Sequence, residues 1–267
     1  MGILNVTPDS FSDGSQFARP GSTSFQVDID CVLNSAETMV ADGAQILDVG
    51  GESTRPGAEA VSTEQELDRV IPVITALRSN FDVCLSVDTS VATVMQEAVA
   101  AGADLINDIR ALTLEGALEA AAASKAGICL MHMQGQPRTM QENITYDDVV
   151  EEVYTFLSQR VESCRGAGIA DTRLLIDPGF GFGKAVEHNY QLLRNLSRLN
   201  DLGVPILVGL SRKSMLGAVT DKPVGDRMAA SVAAATLALQ GGARIVRSHD
   251  VAATVDAIRV HCAYNEA

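Results

Sequence analysis

The sequence predicts an α/β protein, a single (β/α)8 TIM barrel with its active site at the carboxyl ends of the strands. Three observations carry that prediction. Eight short apolar runs of strand type alternate with helical patterns, with no composition break that would mark a linker. A chain of 267 residues matches the ~250 residues usual for such a barrel. The apolar runs end in polar residues at successive strand ends, Asn5, Asp48, Asp88, Asn107, His132, Asp177, Lys213 and Arg247, which is where barrel enzymes place their sites. A doubly wound open sheet shows the same alternation, and alternation alone does not reveal closure. The polar strand ends favour one barrel domain over 1–267.

In order, Gly2-Ile3-Leu4 reads as the end of a first strand, with a few residues that complete it expected ahead of it. A polar loop from Asn5 to Gly14 follows, and Val32, Leu33, Ala36, Met39 and Val40 then recur at helical spacing until Gly43. The second strand, Ile46 to Val49, runs into Gly50-Gly51-Glu52-Ser53-Thr54-Arg55-Pro56-Gly57, a stretch expected to be a mobile loop. Thr63 with Glu66 forms an expected capping box, ahead of an apolar face of Leu67, Val70, Ile71, Ile74 and Leu77. The third strand, Val83 to Val87, ends at Asp88, and Val91, Val94, Met95 and Ala98 mark a helix that Gly102 closes. Leu105-Ile106 ends at Asn107 and Asp108, and an alanine-rich helix then runs to Lys125.

Ile128 to Met131 forms the fifth strand and ends at His132, before a long polar connection from Gln134 to Thr145. A helix over 147–165 leads into the sixth strand, Leu174 to Asp177, which stops at Pro178 and the glycine-rich Gly179-Phe180-Gly181-Phe182-Gly183-Lys184. The seventh, Ile206 to Leu210, ends at Ser211-Arg212-Lys213-Ser214. The eighth, Arg244 to Val246, ends at Arg247-Ser248-His249-Asp250, between helices over 226–240 and 252–262.

Composition narrows the function. A net charge of -14 and a pI near 4.6 argue against nucleic-acid or anionic-membrane partners, which need a basic face. No apolar stretch reaches the ~18 residues of a membrane span, and the start lacks the basic region of a signal peptide. The five cysteines, Cys31, Cys84, Cys129, Cys164 and Cys262, lie far apart without ligand spacing. They read as reduced thiols in a cytoplasmic protein with no zinc site.

The strand ends suggest the chemistry. Asp88, Asn107 and Asp177 supply acceptors and an amide suited to the polar edge of a flat heterocycle, through paired and partly charge-assisted hydrogen bonds. The same residue types also cap loops and helix starts; their concentration at one mouth favours a site. Arg55, Arg212, Lys213, Arg247 and His249 gather cations in an acidic protein, which points to an anionic group such as a diphosphate, with surface ion pairing as the alternative. Asn5, Asp9 and Asp13 are hard oxygen donors compatible with magnesium held mainly by phosphate and water. The Gly179 to Lys184 run is one residue short of a P-loop, and Ala185 stands where that loop needs Ser or Thr. His132 and His249 have no evident serine or cysteine partner, His188 and His261 read as helix-surface residues, and nothing argues for covalent catalysis.

Seven segments in order carry a resemblance over essentially the whole chain: Asn5 to Gly14, Asp48 to Gly57, Ser86-Val87-Asp88-Thr89, Ile106-Asn107-Asp108-Ile109, Asp177 to Lys184, Ser211 to Ser214 and Arg247 to Asp250. Together they resemble the bacterial dihydropteroate synthases. The short segment that usually precedes the first strand in that family is missing, which bears on closure of the barrel floor and not on the site.

The resemblance implies condensation of (7,8-dihydropterin-6-yl)methyl diphosphate with 4-aminobenzoate to 7,8-dihydropteroate and diphosphate. It implies that Asp88, Asn107, Asp177 and Lys213 hold the pterin, and that Asn5, Arg55, Arg247 and His249 hold the diphosphate. Asn5 would also ligate Mg2+, while Asp9 and Asp13 help order the metal and the leaving group. Thr54 would sit beside both substrates. The aminobenzoate would lie against Pro56 and Phe182, its carboxylate near Ser214 at a helix start. Phe11, Pro56 and the second loop are the expected places for sulfonamide resistance. A pterin-dependent methyltransferase has no use for the diphosphate-binding segments, and a paralogue that binds pterin without turnover remains the other alternative. A homodimer is expected from the family, with the alanine-rich Met228 to Leu239 helix either at the interface or simply packed tightly on the barrel.

Overall fold

The computed structural model describes residues 1–8, 17–19, 25–53, 61–137 and 139–267. Eight parallel strands, β1 (Gly2–Asn5), β2 (Ile46–Gly50), β3 (Cys84–Asp88), β4 (Leu105–Asp108), β5 (Gly127–Met131), β6 (Leu174–Asp177), β7 (Ile206–Gly209) and β8 (Ala243–Arg247), pair in sequence order. The last strand returns to the first. The Met1 amino group donates to the Val246 carbonyl at 3.0 Å, the Ser248 N–H donates to the Met1 carbonyl at 2.9 Å, and Gly2 bridges Ser248. The result is a nearly closed barrel, and the unbroken strand order excludes the doubly wound sheet, in which the order reverses.

The helices that return the chain are α1 (Ile29–Ala41), α2 (Thr63–Asn80), α3 (Ala92–Ala101), α4 (Ala117–Ala123), α5 (Val149–Gly166), α6 (Val186–Arg194), α7 (Ser214–Thr220), α8 (Met228–Gln240) and α9 (Val251–Glu266). Two of them, α7 and α8, lie between β7 and β8; the periodicity marks α8, and α7 begins at Ser214, where the resemblance implies a helix start. The cap of α2 also differs from expectation. Ser62, not Thr63, is the N-cap; its Oγ accepts the Gln65 N–H at 3.2 Å and Gln65 Oε1 accepts the Ser62 N–H at 3.0 Å. Ser-x-x-Gln satisfies the same reciprocal geometry one residue earlier. Glu66 is thereby turned inward and is 2% exposed.

Alternation along each strand sorts the side chains into two layers. Outward positions such as Val49, Leu85, Val87, Ile106, Ile128, Leu130, Ile176 and Val208 meet the inner stripes of the helices, Val70, Ile74 and Leu77 on α2 and Val153, Leu157 and Val161 on α5. Each such side chain contributes ~1.5–3 kcal/mol when fully buried, so this layer holds the barrel together. Inward positions are apolar low in the barrel, where Leu105, Cys129 and Leu207 cluster with Met1, Cys84, Leu175 and Ile245. Two residues further up, the inward positions become Asn107, Met131, Gly209, Asp177 and Arg247. The floor is apolar and the mouth is polar.

Candidate active site

A cavity of about 640 Å³ opens at the carboxyl ends of the strands. Strand register sets its walls: Asn5 lies opposite Gly50, Gly50 opposite Asp88, Asp88 opposite Asn107, Met131 opposite Asp177, and Gly209 opposite Arg247. Among the residues expected from the sequence, Asn5, Asp88, Asn107, Asp177, Phe182, Lys213, Ser214, Arg247 and His249 all line it. Asp9, Phe11, Asp13, Thr54, Arg55 and Pro56 lie outside the described residues.

Arg247 bridges two carboxylates. Its Nε donates to Asp48 Oδ2 at 2.6 Å and its Nη2 to Asp88 Oδ2 at 3.2 Å. Asp48 is fully buried below the cavity, where Ser86 Oγ (2.5 Å) and Asn107 Nδ2 (3.3 Å) also donate to it. One guanidinium thus faces two acids. Burial, and after it the neighbouring Asp48, raise the Asp88 carboxyl above its ordinary range, with Arg247 opposing. Across the cavity, Asp177 Oδ1 accepts the Gly179 N–H at 2.7 Å. Burial lifts its carboxyl to about 6, against the pull of that N–H and of Lys213, Lys184 and Arg247. Lys213 places its ammonium 4.2 Å from the centre of the Phe182 ring, and burial lowers it to about 8, so it remains charged at neutral pH.

The cations at this mouth are fewer than the sequence suggests. Burial, followed by the charges of Arg247 and Arg212, pushes the His249 imidazolium down to about 3, and the ring is neutral. Arg212 is engaged by Asp250 through two hydrogen bonds, at 3.0 and 2.6 Å. The sequence reading that left His249 without a serine is also corrected, since Ser211 Oγ lies 3.0 Å from its Nδ1. The partner was hidden because β7 and β8 are adjacent in space and 38 residues apart in the chain at this pair. His132 does sit at a strand end, yet its ring leaves the mouth and packs edge-on against Phe156 at 5.0 Å. As the first residue past β5 it takes the outward position, and burial and the Lys184 charge lower it to about 2.

The glycine-rich stretch after β6 is a wall whose backbone groups are satisfied by side chains. Lys184 Nζ donates to the carbonyls of Gly179 (2.9 Å) and Phe182 (3.1 Å) and lies 2.9 Å from His132 Nδ1. Asn189 Oδ1 accepts the Gly181 N–H at 2.7 Å, Gln141 donates to the Gly181 carbonyl at 2.7 Å, and Tyr146 to the Gly183 carbonyl at 3.0 Å. Gly179 and Gly183 have positive φ, and a Cβ on them would stand 1.9 Å from the His132 carbonyl oxygen and 2.4 Å from that of Gln134. Only glycine fits a backbone laid this closely on another. Lys184 is therefore an internal clamp, consistent with the rejection of a P-loop.

Sequence reasoning assigned no role to Ser211, Met131, Ile109, Met140, Gln141 or Val224, which also line the cavity. Met131 and Ile109 follow from strand alternation. Met140, Gln141 and Val224 come from connections whose path no periodicity encodes.

Residues 1–249 match the family described as pterin binding enzyme. The dihydropteroate synthase of Haemophilus influenzae is 55% identical over 260 residues, covering 97% of this chain and 91% of that protein. The chain belongs to the dihydropteroate synthase family. It is accordingly an enzyme of the transferase class. The crystal structure of the Yersinia pestis dihydropteroate synthase with a sulfonamide drug complex superposes with a TM-score of 0.93 at 52% identity, over 100% of this chain and 93% of that one. The Xanthomonas albilineans dihydropteroate synthase with 4-aminobenzoic acid gives 0.90 at 50%, over 100% and 93%.

Proposed function

We propose that this cavity is where (7,8-dihydropterin-6-yl)methyl diphosphate loses diphosphate to the amine of 4-aminobenzoate, giving 7,8-dihydropteroate. The observation that carries the reading is the division of the cavity's polar groups, Asp88, Asn107, Asp177 and Lys213 for a heterocycle and Asn5, Arg247 and His249 for an anion, over an apolar floor. Asp177, once ionised, accepts from the amino group and ring N–H of the pterin, with Asn107 and Asp88 on the remaining polar edge and Lys213 reaching in from beside Phe182. Arg247 and His249 donate to the diphosphate and stabilise the charge that builds on it as the carbon–oxygen bond breaks. The amine then attacks the methylene carbon and loses one proton to solvent, so no protein nucleophile is required. Phe182 flanks the aminobenzoate, with its carboxylate toward Ser214 at the start of α7. Thr54, Arg55 and Pro56 from the second loop, and Asp9 and Asp13 from the first, are assigned the roles implied by the resemblance.

Asn5 suits a Mg2+ ion. Its side chain reaches the cavity wall, where a Cβ on Gly50 would meet Asn5 Oδ1 at 3.3 Å, and among the described residues no three His, Cys, Asp or Glu gather as a metal cage. Magnesium held mainly by diphosphate and water takes few oxygen ligands from the protein, and Asn5 supplies one. When bound, the ion would neutralise charge on the departing diphosphate.

We further place residues 1–267 in one catalytic barrel domain working as a cytoplasmic homodimer. Five unpaired cysteines agree with a reducing compartment, and no helix among the described residues is long and apolar enough to cross a membrane. The test of the reaction is diphosphate release on mixing protein, Mg2+ and the pterin diphosphate with and without 4-aminobenzoate. Release that depends on aminobenzoate, with dihydropteroate formed, is the expected result; pterin binding without release would overturn the proposal.

A further inference from the structure

His249 is the second residue after β8, and Ser211 the second after β7; both line the cavity. Ser211 Oγ accepts the His249 main-chain N–H at 3.2 Å and stands 3.0 Å from Nδ1 of the same residue. A hydroxyl has one hydrogen to give and two lone pairs to receive with. One lone pair of Ser211 is taken by the main-chain N–H, and His249 Nδ1 is the one acceptor in reach of its hydrogen among the described residues. A neutral imidazole carries a single N–H. If Nδ1 accepts, that hydrogen is on Nε2, which forms no hydrogen bond with the described protein groups.

We propose that Ser211 is a positioning residue that locks His249 in its Nε2–H tautomer, so that the ring presents one uncharged donor to a phosphoryl oxygen in the cavity. This rests on the reading of the cavity as a diphosphate site. The opposite tautomer would turn a lone pair toward an anionic oxygen and repel it. An uncharged donor also orients the anion without a further cation beside Arg247 and Arg212, where burial already makes positive charge costly. The two contacts from one oxygen, to the main chain and to the ring, fix the imidazole plane as well as its tautomer.

Long-range ¹H–¹⁵N correlation spectra of the histidine rings in the intact protein test the tautomer directly. The expected spectrum of the protein without added anion shows His249 protonated on Nε2 and bare on Nδ1; protonation on Nδ1 overturns the proposal without any variant being needed. Ser211→Ala is expected to mix the tautomers and to weaken inorganic diphosphate by roughly tenfold in calorimetric titration, the worth of one hydrogen bond to a charged group. Ser211→Thr, which keeps the hydroxyl, restores both readings. Affinity for a pterin alcohol that lacks the diphosphate stays as in the parent protein. A Ser211→Ala protein with unchanged tautomer and unchanged diphosphate affinity would sink the proposal. Failure of the parent protein to bind diphosphate would instead sink the reading of the cavity, and the ring spectra separate the two cases.

Discussion

Asp177 holds its proton more tightly than an ordinary carboxyl because it is buried at the mouth of an apolar barrel, and its carboxyl is lifted to about 6. If the ionised form accepts the pterin's N–H groups, pterin affinity is constant above about pH 7. It then falls by up to tenfold per unit as pH drops below 6 and the acid becomes protonated. Calorimetric titration of the pterin between pH 5 and 8 measures this, and an Asp177→Asn protein that kept the same pH profile would assign the titration elsewhere. Asp48 acts one step removed, through Arg247. Asp48→Asn preserves shape and removes the charge, so kcat/KM for the pterin diphosphate should fall roughly ten- to a hundredfold, the worth of a charged hydrogen bond. Steady-state kinetics would show it. Without Asp48 the neighbouring Asp88 also loses the like charge that helps raise it.

The loop after β6 shows how an irregular segment becomes a fixed wall. Its inward backbone groups are satisfied by Lys184, Asn189, Gln141 and Tyr146, and Asp177 is tied to it through the Gly179 N–H. Lys184→Met removes the donor shared by the Gly179, Phe182 and His132 carbonyls and buries an apolar tip against them, and each buried acceptor left short of a partner costs ~1–3 kcal/mol. Denaturant titration should therefore show a loss of about 2–4 kcal/mol, and the KM for the pterin diphosphate should rise as Asp177 and Phe182 lose their support. On α2, Glu66 Oε1 is buried without a hydrogen-bond partner among the described residues, and burial raises the carboxyl from 4.5 to about 7. The folded protein thus binds this proton more tightly than the unfolded chain. Its stabilising contribution is full below pH 4.5 and is lost as pH rises through 7. Glu66→Gln keeps the position neutral throughout. Thermal melts should show the variant more stable than the parent at pH 8, by on the order of 2 kcal/mol, and similar to it at pH 4.5.

Over the whole molecule, five of the seven large apolar side chains exposed among the described residues, Val219, Met228, Leu237, Val260 and Tyr264, lie on the last three helices. The small residues of α8 do not account for this. Ser231, Ala234, Ala235 and Ala238 are buried toward the barrel, so the close packing they permit is intramolecular. The larger neighbours are what supports a dimer surface there. Leu237→Glu combined with Val260→Glu should yield a folded monomer by light scattering and circular dichroism. An unchanged mass for both proteins would remove this face from the assembly.

Strand and helix order, the single polar residue at each strand end and the seven family segments were legible in the sequence, because alternation and helical spacing are local consequences of backbone geometry. The cap of α2 was misread by one residue because Ser62-x-x-Gln65 and Thr63-x-x-Glu66 are both valid boxes, and packing chose the one that buries Glu66. Charge states and partners were not legible. Arg247 meets Asp48 and Asp88 across 199 and 159 residues of chain, and Ser211 meets His249 across 38. The sequence by itself placed Asn5, Asp88, Asn107, Asp177, Lys213 and Arg247 at the mouth of the barrel. Tertiary structure alone decided that Arg247 is shared between two acids, that His249 is neutral and paired, that His132 faces the helices, and that Lys184 is a clamp, since burial and long-range neighbours set protonation and hydrogen bonding.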